Sequence, residues 1–167
     1  GLAGEEQTVE TASGIVTGRR IDQRNYRIRL TDPSMIRLDY PVEAGGKFWP
    51  CSYIELGNPG LPHAVIPYPG LAGKTMDELR TLGRSLRWNP AFPKGANVNF
   101  YDIAGPDQIT ELTFERGVED FTYACGTGTG STVLALTMKG LVSGKDVTVS
   151  VPGGTLRVTI DREGASV

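Results

Sequence analysis

The chain has 167 residues, with 17 basic against 19 acidic side chains and a net charge of −2 at neutral pH, which is enough for one domain with a full core and short for two. Charges of both signs are spread without long runs, which excludes the footprint of a nucleic-acid binder or of a protein that adheres to anionic membranes and favours a small-molecule partner. Two cysteines, Cys51 and Cys125, make no disulfide framework and, with neither a signal-peptide pattern nor an apolar run of about 18 residues, they predict a cytoplasmic protein.

In chain order, strands are expected over Thr8–Gly18, Tyr26–Leu30, Met35–Asp39, Phe48–Leu56 and Ala64–Tyr68. Glycine and proline punctuate these short runs, as in strand-rich domains. A helix follows from Thr75: Thr75-Met-Asp-Glu78 matches a capping box, Leu79, Leu82 and Leu86 share one face, and Asn89-Pro90 ends it. This helix is amphipathic and belongs on the outside. Strands resume over Asn97–Ile103 and Ile109–Phe114. A second helix begins after Cys125 and carries Val133, Leu134, Ala135, Leu136, Met138 and Leu141 with hardly a charge before Lys139, so it should be buried and enclosed by the sheet. Val147–Val151 and Leu156–Ile160 alternate at period two around Pro152-Gly-Gly-Thr155, which reads as a hairpin.

The segment Tyr123-Ala-Cys-Gly-Thr-Gly-Thr-Gly-Ser131 places a thiol where the second helix starts. Amides of a first turn lack intrahelical partners, and the positive end of the helix dipole favours a thiolate, so the Cys125 pKa is expected to fall below the ordinary thiol value. A buried packing cysteine is the competing reading, and glycine on both sides argues against it, because such a cysteine has no need of neighbours that let a ligand approach. Gly126-x-Gly128-x-Gly130 lacks the Lys-Ser/Thr of a phosphate loop, and its third glycine is one place early for a dinucleotide fingerprint. A carboxylate or phosphate still suits this helix start. Cys51, in Phe48-Trp-Pro-Cys-Ser-Tyr-Ile54, is expected to pack in a strand.

Several segments, in order, resemble the diaminopimelate epimerases, within the wider group of cofactor-independent amino acid racemases and epimerases. They are Gly57-Asn58-Pro59 with His63-Ala64-Val65, Phe92-Pro-Lys-Gly-Ala-Asn97-Val-Asn-Phe100, Phe114-Glu115-Arg116-Gly117, Ala124-Cys125-Gly126-Thr127-Gly128 and Val151-Pro-Gly-Gly-Thr-Leu156. Thr8-Val-Glu-Thr-Ala-Ser-Gly14 resembles a segment that lies after the first catalytic cysteine of that family. The resemblance implies an α+β fold in which a curved, mostly antiparallel sheet wraps a central buried helix, with one outer amphipathic helix. It implies residues 1–20 as the remnant of an N-terminal domain and 21–167 as the C-terminal domain. By the same resemblance, Cys125 is one of two opposed acid/base cysteines, and Asn58, Asn97, Glu115, Arg116, Gly126 and Thr127 bind an amino acid substrate. No cofactor and no metal are implied. The partners are that substrate and an N-terminal domain whose cysteine loop should precede residue 1, and a homodimer is left open.

Two departures modify the expectation. Gly60-Leu61-Pro62 separates Asn58-Pro59 from His63, so His63 is read as a local hydrogen-bonding residue, and one extra residue between Glu115 and Cys125 reshapes the distal end of the pocket. Without the resemblance, Glu115-Arg116 fits an exposed ion pair at a strand end, and Asn58 and Asn97 fit turn chemistry. Three functions follow: an epimerase acting on diaminopimelate, a relative of the same fold acting on another small substrate, and a non-catalytic module that keeps only the cleft.

Overall fold

A computed structural model describes residues 6–161. The chain begins with a three-stranded antiparallel sheet of β1 (Glu6–Thr11), β2 (Gly14–Arg20) and β3 (Tyr26–Arg29). The run Thr8–Gly18, expected as one strand, is therefore a hairpin that reverses at Ala12-Ser13, with Thr11 opposite Gly14. Ser13-Gly14, with Gly14 at φ 123°, is the turn signal inside that run. β3 pairs with β2 beyond residue 20, so this small sheet runs to Arg29.

The second sheet holds β4 (Pro33–Ala44), β5 (Lys47–Leu56), β6 (Leu61–Pro67), β7 (Asn97–Gly105), β8 (Gln108–Glu115), β10 (Val147–Val151) and β11 (Gly154–Val158), in the order β11-β10-β8-β7-β6-β5-β4, with the short β9 (Asp120–Thr122) also on β8. Most neighbours are antiparallel, but β6 with β7 and β8 with β10 are parallel. Parallel neighbours need a long crossover, and each crossover here contains a helix. α1 (Met76–Arg87) lies between β6 and β7, and α2 (Gly126–Met138) lies between β8 and β10.

The two helices cover opposite faces. Leu79 and Leu86 of α1 join Ala64, Ile66, Val98, Phe100 and Phe114 in one core, whereas Val133, Ala135 and Leu136 of α2 join Val65, Tyr101, Ile109, Val147 and Val149 in the other. Alternate residues of each strand thus serve alternate cores. α2 touches β5, β6, β7 and also the edge strand β11. Those strands span about five spacings of 4.8 Å, and a helix is only about 10 Å across, so the sheet curls around it. Among the described residues, no helix is long and apolar enough to cross a membrane.

Helix ends follow their sequence signals. Thr75 and Glu78 form the expected capping box, with the Glu78 N–H donating to Thr75 Oγ1 and the Thr75 N–H to Glu78 Oε2. α2 stops at Met138 instead of continuing to Leu141. Gly140, at φ 70°, takes the left-handed position, and the amides of Leu141 and Gly140 donate to the carbonyls of Leu136 and Thr137. This is a Schellman closure.

The small sheet docks through its first turn. The Asn58 N–H donates to the Ser13 carbonyl at 3.1 Å, and Gly57, at φ 79°, lies so close that a Cβ there would strike that carbonyl. Gly57→Ala should therefore lower unfolding stability by at least about 1–3 kcal/mol in urea titrations. Gly18→Ala, whose added methyl meets nothing within 4 Å, should stay within about 0.5 kcal/mol.

Candidate active site

The start of α2 lies where β8 changes neighbours. The first half of β8 pairs with β10 and the second half with β9, and the chain leaves β9 through Tyr123 and Ala124 to reach Cys125. The turn between β10 and β11 fixes this exit, because the Gly153 N–H donates to the Tyr123 carbonyl at 2.7 Å. Cys125 is the N-cap of α2, in extended conformation, and its carbonyl accepts the first helical bond from Thr129. The first-turn amides of Gly126 and Thr127 carry no intrahelical bond, and Gly126 is exposed. Beside Thr127 is a cleft of about 260 Å³ whose other walls include Ala12, Ser13, Leu56 and Leu61.

The Cys125 thiol lies 3.6 Å from Thr127 Oγ1, and the Gly128 amide also points at it. Both favour the thiolate. Burial opposes them and prevails, assisted by the nearby carboxylates of Glu115 and Glu111, so the pKa is raised above the ordinary thiol value. The expected depression is thus corrected: the helix terminus contributes, but a half-buried sulfur above two acids stays protonated at neutral pH. Cys51 is fully buried between strands, as expected, and burial pushes its thiol up to about 12.

The other expected residues gather in part. Glu115 ends β8 and accepts a 2.6 Å hydrogen bond from Thr122 Oγ1. Arg116 follows it, and its Nη1 donates to the Lys94 carbonyl at 3.1 Å. Asn97, at the start of β7, accepts from the Arg116 N–H at 2.8 Å and donates to the Pro62 carbonyl at 3.0 Å. Its amide therefore braces the Arg116 turn, with one N–H and one lone pair still available. Asn58 is exposed on the turn after β5, across a cis peptide bond from Pro59. Between Glu115 and Cys125, where one extra residue is expected, the turn from β8 to β9 holds Glu119 at φ 61°, bound to Arg87, Trp88 and the Gly117 amide.

Beneath this rim lies a polar cluster of which sequence reasoning singled out only His63, whose partner Asn99 lies 36 positions away instead of nearby. His63, Asn99, Glu111, Thr129 and Thr132 are all fully buried. Glu111 accepts from both threonine hydroxyls, at 2.6 Å from Thr132, and from Asn99 Nδ2 at 3.4 Å. Asn99 Nδ2 also donates to Thr113 at 2.8 Å, and Asn99 Oδ1 lies 3.0 Å from His63 Nδ1. Gly128 makes room for this: a Cβ there would collide with the Asn99 amide. The available signals were Ile109-x-Glu111-x-Thr113 on one strand face and Thr129 with Thr132 at helical spacing.

The family model for diaminopimelate epimerase matches residues 56–167. The chain belongs to the diaminopimelate epimerase family. It is 34% identical to the diaminopimelate epimerase of Aquifex aeolicus over 163 residues, covering 96% of this chain and 56% of that protein. With that of Chlorobaculum tepidum it shares 38% identity over 135 residues, 79% of this chain and 48% of the relative. The chain spans about half the length of these relatives. In fold it is similar to a probable proline racemase from Agrobacterium radiobacter K84, crystallised with bound carbonate, with a TM-score of 0.69 at 22% identity over 96% of this chain and 54% of that one. A hydroxyproline epimerase from Agrobacterium vitis gives a TM-score of 0.65 at 19% identity over 99% and 55% of the two chains. The α+β racemase fold expected from the sequence is therefore the observed one.

Two predictions follow from these electrostatics. Alkylation of the native chain should label Cys125 alone by peptide mapping, with a rate that keeps rising above the pH at which an ordinary thiol levels off. In the buried cluster, burial raises Glu111 from 4.5 to about 7 and lowers His63 from 6.5 to about 4. Glu111 stabilises the fold most below pH 4.5 and loses that contribution as pH rises to about 7, while His63 contributes fully above 6.5 and loses its share as pH falls to about 4. The opposing slopes cancel over the shared window. Glu111→Gln should expose the His63 slope, so that its stability climbs from about pH 4 to about 6.5 in denaturant titrations, where the parent changes far less.

Proposed function

We propose that the chain carries one half of the active site of a cofactor-independent amino acid epimerase that interconverts LL- and meso-diaminopimelate, with Cys125 as one of two opposed acid/base groups. The observation that carries this reading is the placement of the Cys125 thiol at the open N-terminus of α2, within the field of Glu115 and beside the free amides of Gly126 and Thr127. Those amides suit the α-carboxylate, and they stabilise the negative charge that grows as the α-proton leaves. A thiol kept protonated at neutral pH enters the cycle as the acid: it delivers a proton to one face of the α-carbon while a base on the opposite face removes the original one. Cys51 is sealed in the core, and the family resemblance assigns the opposing group to an N-terminal domain.

Arg116 supports recognition of a distal carboxylate, for which its planar fork suits a bidentate pair. Asn97 holds the Arg116 turn in place, and Glu115 and Asn58 supply further polar groups for ammonium and carboxylate. A second reading, a racemase for a different small amino acid, is favoured by the inserted Gly60-Leu61-Pro62, whose Leu61 lines the cleft beside Thr127, and by the extra residue between Glu115 and Cys125. The test is solvent deuterium exchange at the α-carbon by the whole two-domain protein, run with diaminopimelate stereoisomers and with other amino acids. Exchange should be fastest with diaminopimelate. Cys125→Ser should reduce it by at least about 100-fold, and an unchanged rate would return Cys125 to a packing role.

A further inference from the structure

We infer that Glu111 is a positioning residue: from beneath α2 it fixes the first turns behind Cys125 and, through Asn99, holds His63 as its Nδ1–H tautomer with Nε2 left as a bare acceptor. Glu111 faces three donors, the hydroxyls of Thr129 and Thr132 and the amide nitrogen of Asn99. A carboxylate can only accept, so it dictates the direction of every bond it makes.

That direction propagates. Were the Asn99 amide reversed, its oxygen would face the Glu111 carboxylate, acceptor against acceptor. Thr113, the other partner of Asn99 Nδ2, cannot decide the matter, because a hydroxyl donates or accepts equally well. With its nitrogen committed to Glu111, Asn99 turns Oδ1 to His63, and the 3.0 Å contact there requires a proton on Nδ1. Burial keeps the imidazole neutral down to about pH 4, so no second proton is available for Nε2. That nitrogen is buried, and among the described residues no group hydrogen-bonds to it. On the other side of the carboxylate, Thr129 and Thr132 lie in the first two turns of α2, and Asn99 packs against Gly128, whose absent Cβ leaves it room.

Few charged groups face this relay. Cys125 lies above Glu111 at the start of α2, Glu115 stands on the same strand, and Arg116 acts on His63 from the turn after β8. The meaning of the inference rests on the proposed acid/base role of Cys125, but its test does not use turnover, so either can fail without the other.

His63 is the one histidine of the chain, so the nitrogen-15 signals of its ring are assignable without ambiguity. At pH 8, long-range proton–nitrogen spectra of the chain should show a protonated Nδ1 and a bare Nε2. On titration the ring signals should shift with a midpoint near the Glu111 value of about 7, without ring protonation. Glu111→Gln should abolish that midpoint. Asn99→Leu, which cuts the bridge but leaves the carboxylate its two threonines, should abolish it as well and provides the test if Glu111→Gln fails to fold. An Nε2–H tautomer in the parent chain, ring signals that do not respond to any titration, or a midpoint that survives both substitutions would overturn the inference.

Discussion

Two pairs of parallel strands within an otherwise antiparallel sheet impose the constraint on which the rest of the molecule depends. Neither pair can be closed by a tight turn, so each requires a crossover, and the two crossovers carry the two helices to opposite faces. The second has a further effect. Because β8 exchanges β10 for β9 midway along its length, the chain must leave the sheet at the exchange point, and Cys125 stands there. The position of the thiol is thus a property of strand order before it is a property of any side chain.

Around that thiol, burial and the helix terminus pull in opposite directions. The amide of Gly128 and the hydroxyl of Thr127 favour the anion, while desolvation and two acids favour the neutral form and prevail. The same competition recurs one layer down. Glu111 has three donors, and burial still raises its pKa, while His63 is forced neutral beside it. A site built this way holds its protons close to the reacting position instead of surrendering them to solvent, which suits chemistry that moves protons and nothing else.

Much of this was legible in the sequence because the signals were local. The capping box at Thr75, the hairpin of β10 and β11, the buried character of α2 and the cysteine at its start all depend on residues within a few positions of one another. The single strand expected over Thr8–Gly18 failed because Ser13-Gly14 reverses the chain inside the run, and α2 ended early because a left-handed Gly140 closes it. Glu111 was invisible for a different reason. An acid in a strand ordinarily marks the solvent face, and its hydrogen-bond donors come from a helix about 20 positions later and from a neighbouring strand. Asn97 was read as a substrate ligand, and the local geometry gives it a bracing role toward Arg116 as well. The thiol pKa went the other way from expectation because helix-end electrostatics can be read from spacing, whereas desolvation depends on everything that packs nearby.

The way α2 is held has a mechanical consequence. At one end its first turns are clamped through threonine hydroxyls to a strand carboxylate, and at the other a Schellman closure locks the last carbonyls. Between these anchors its apolar side chains interlock with four strands of a curled sheet. A rod fixed at both ends and along its side has no axis on which to slide or roll, so any adjustment to a ligand at its tip must be taken up by the loops facing it. The helix behaves as an anvil: it supplies a stationary reference against which the opposite wall of the cleft can close.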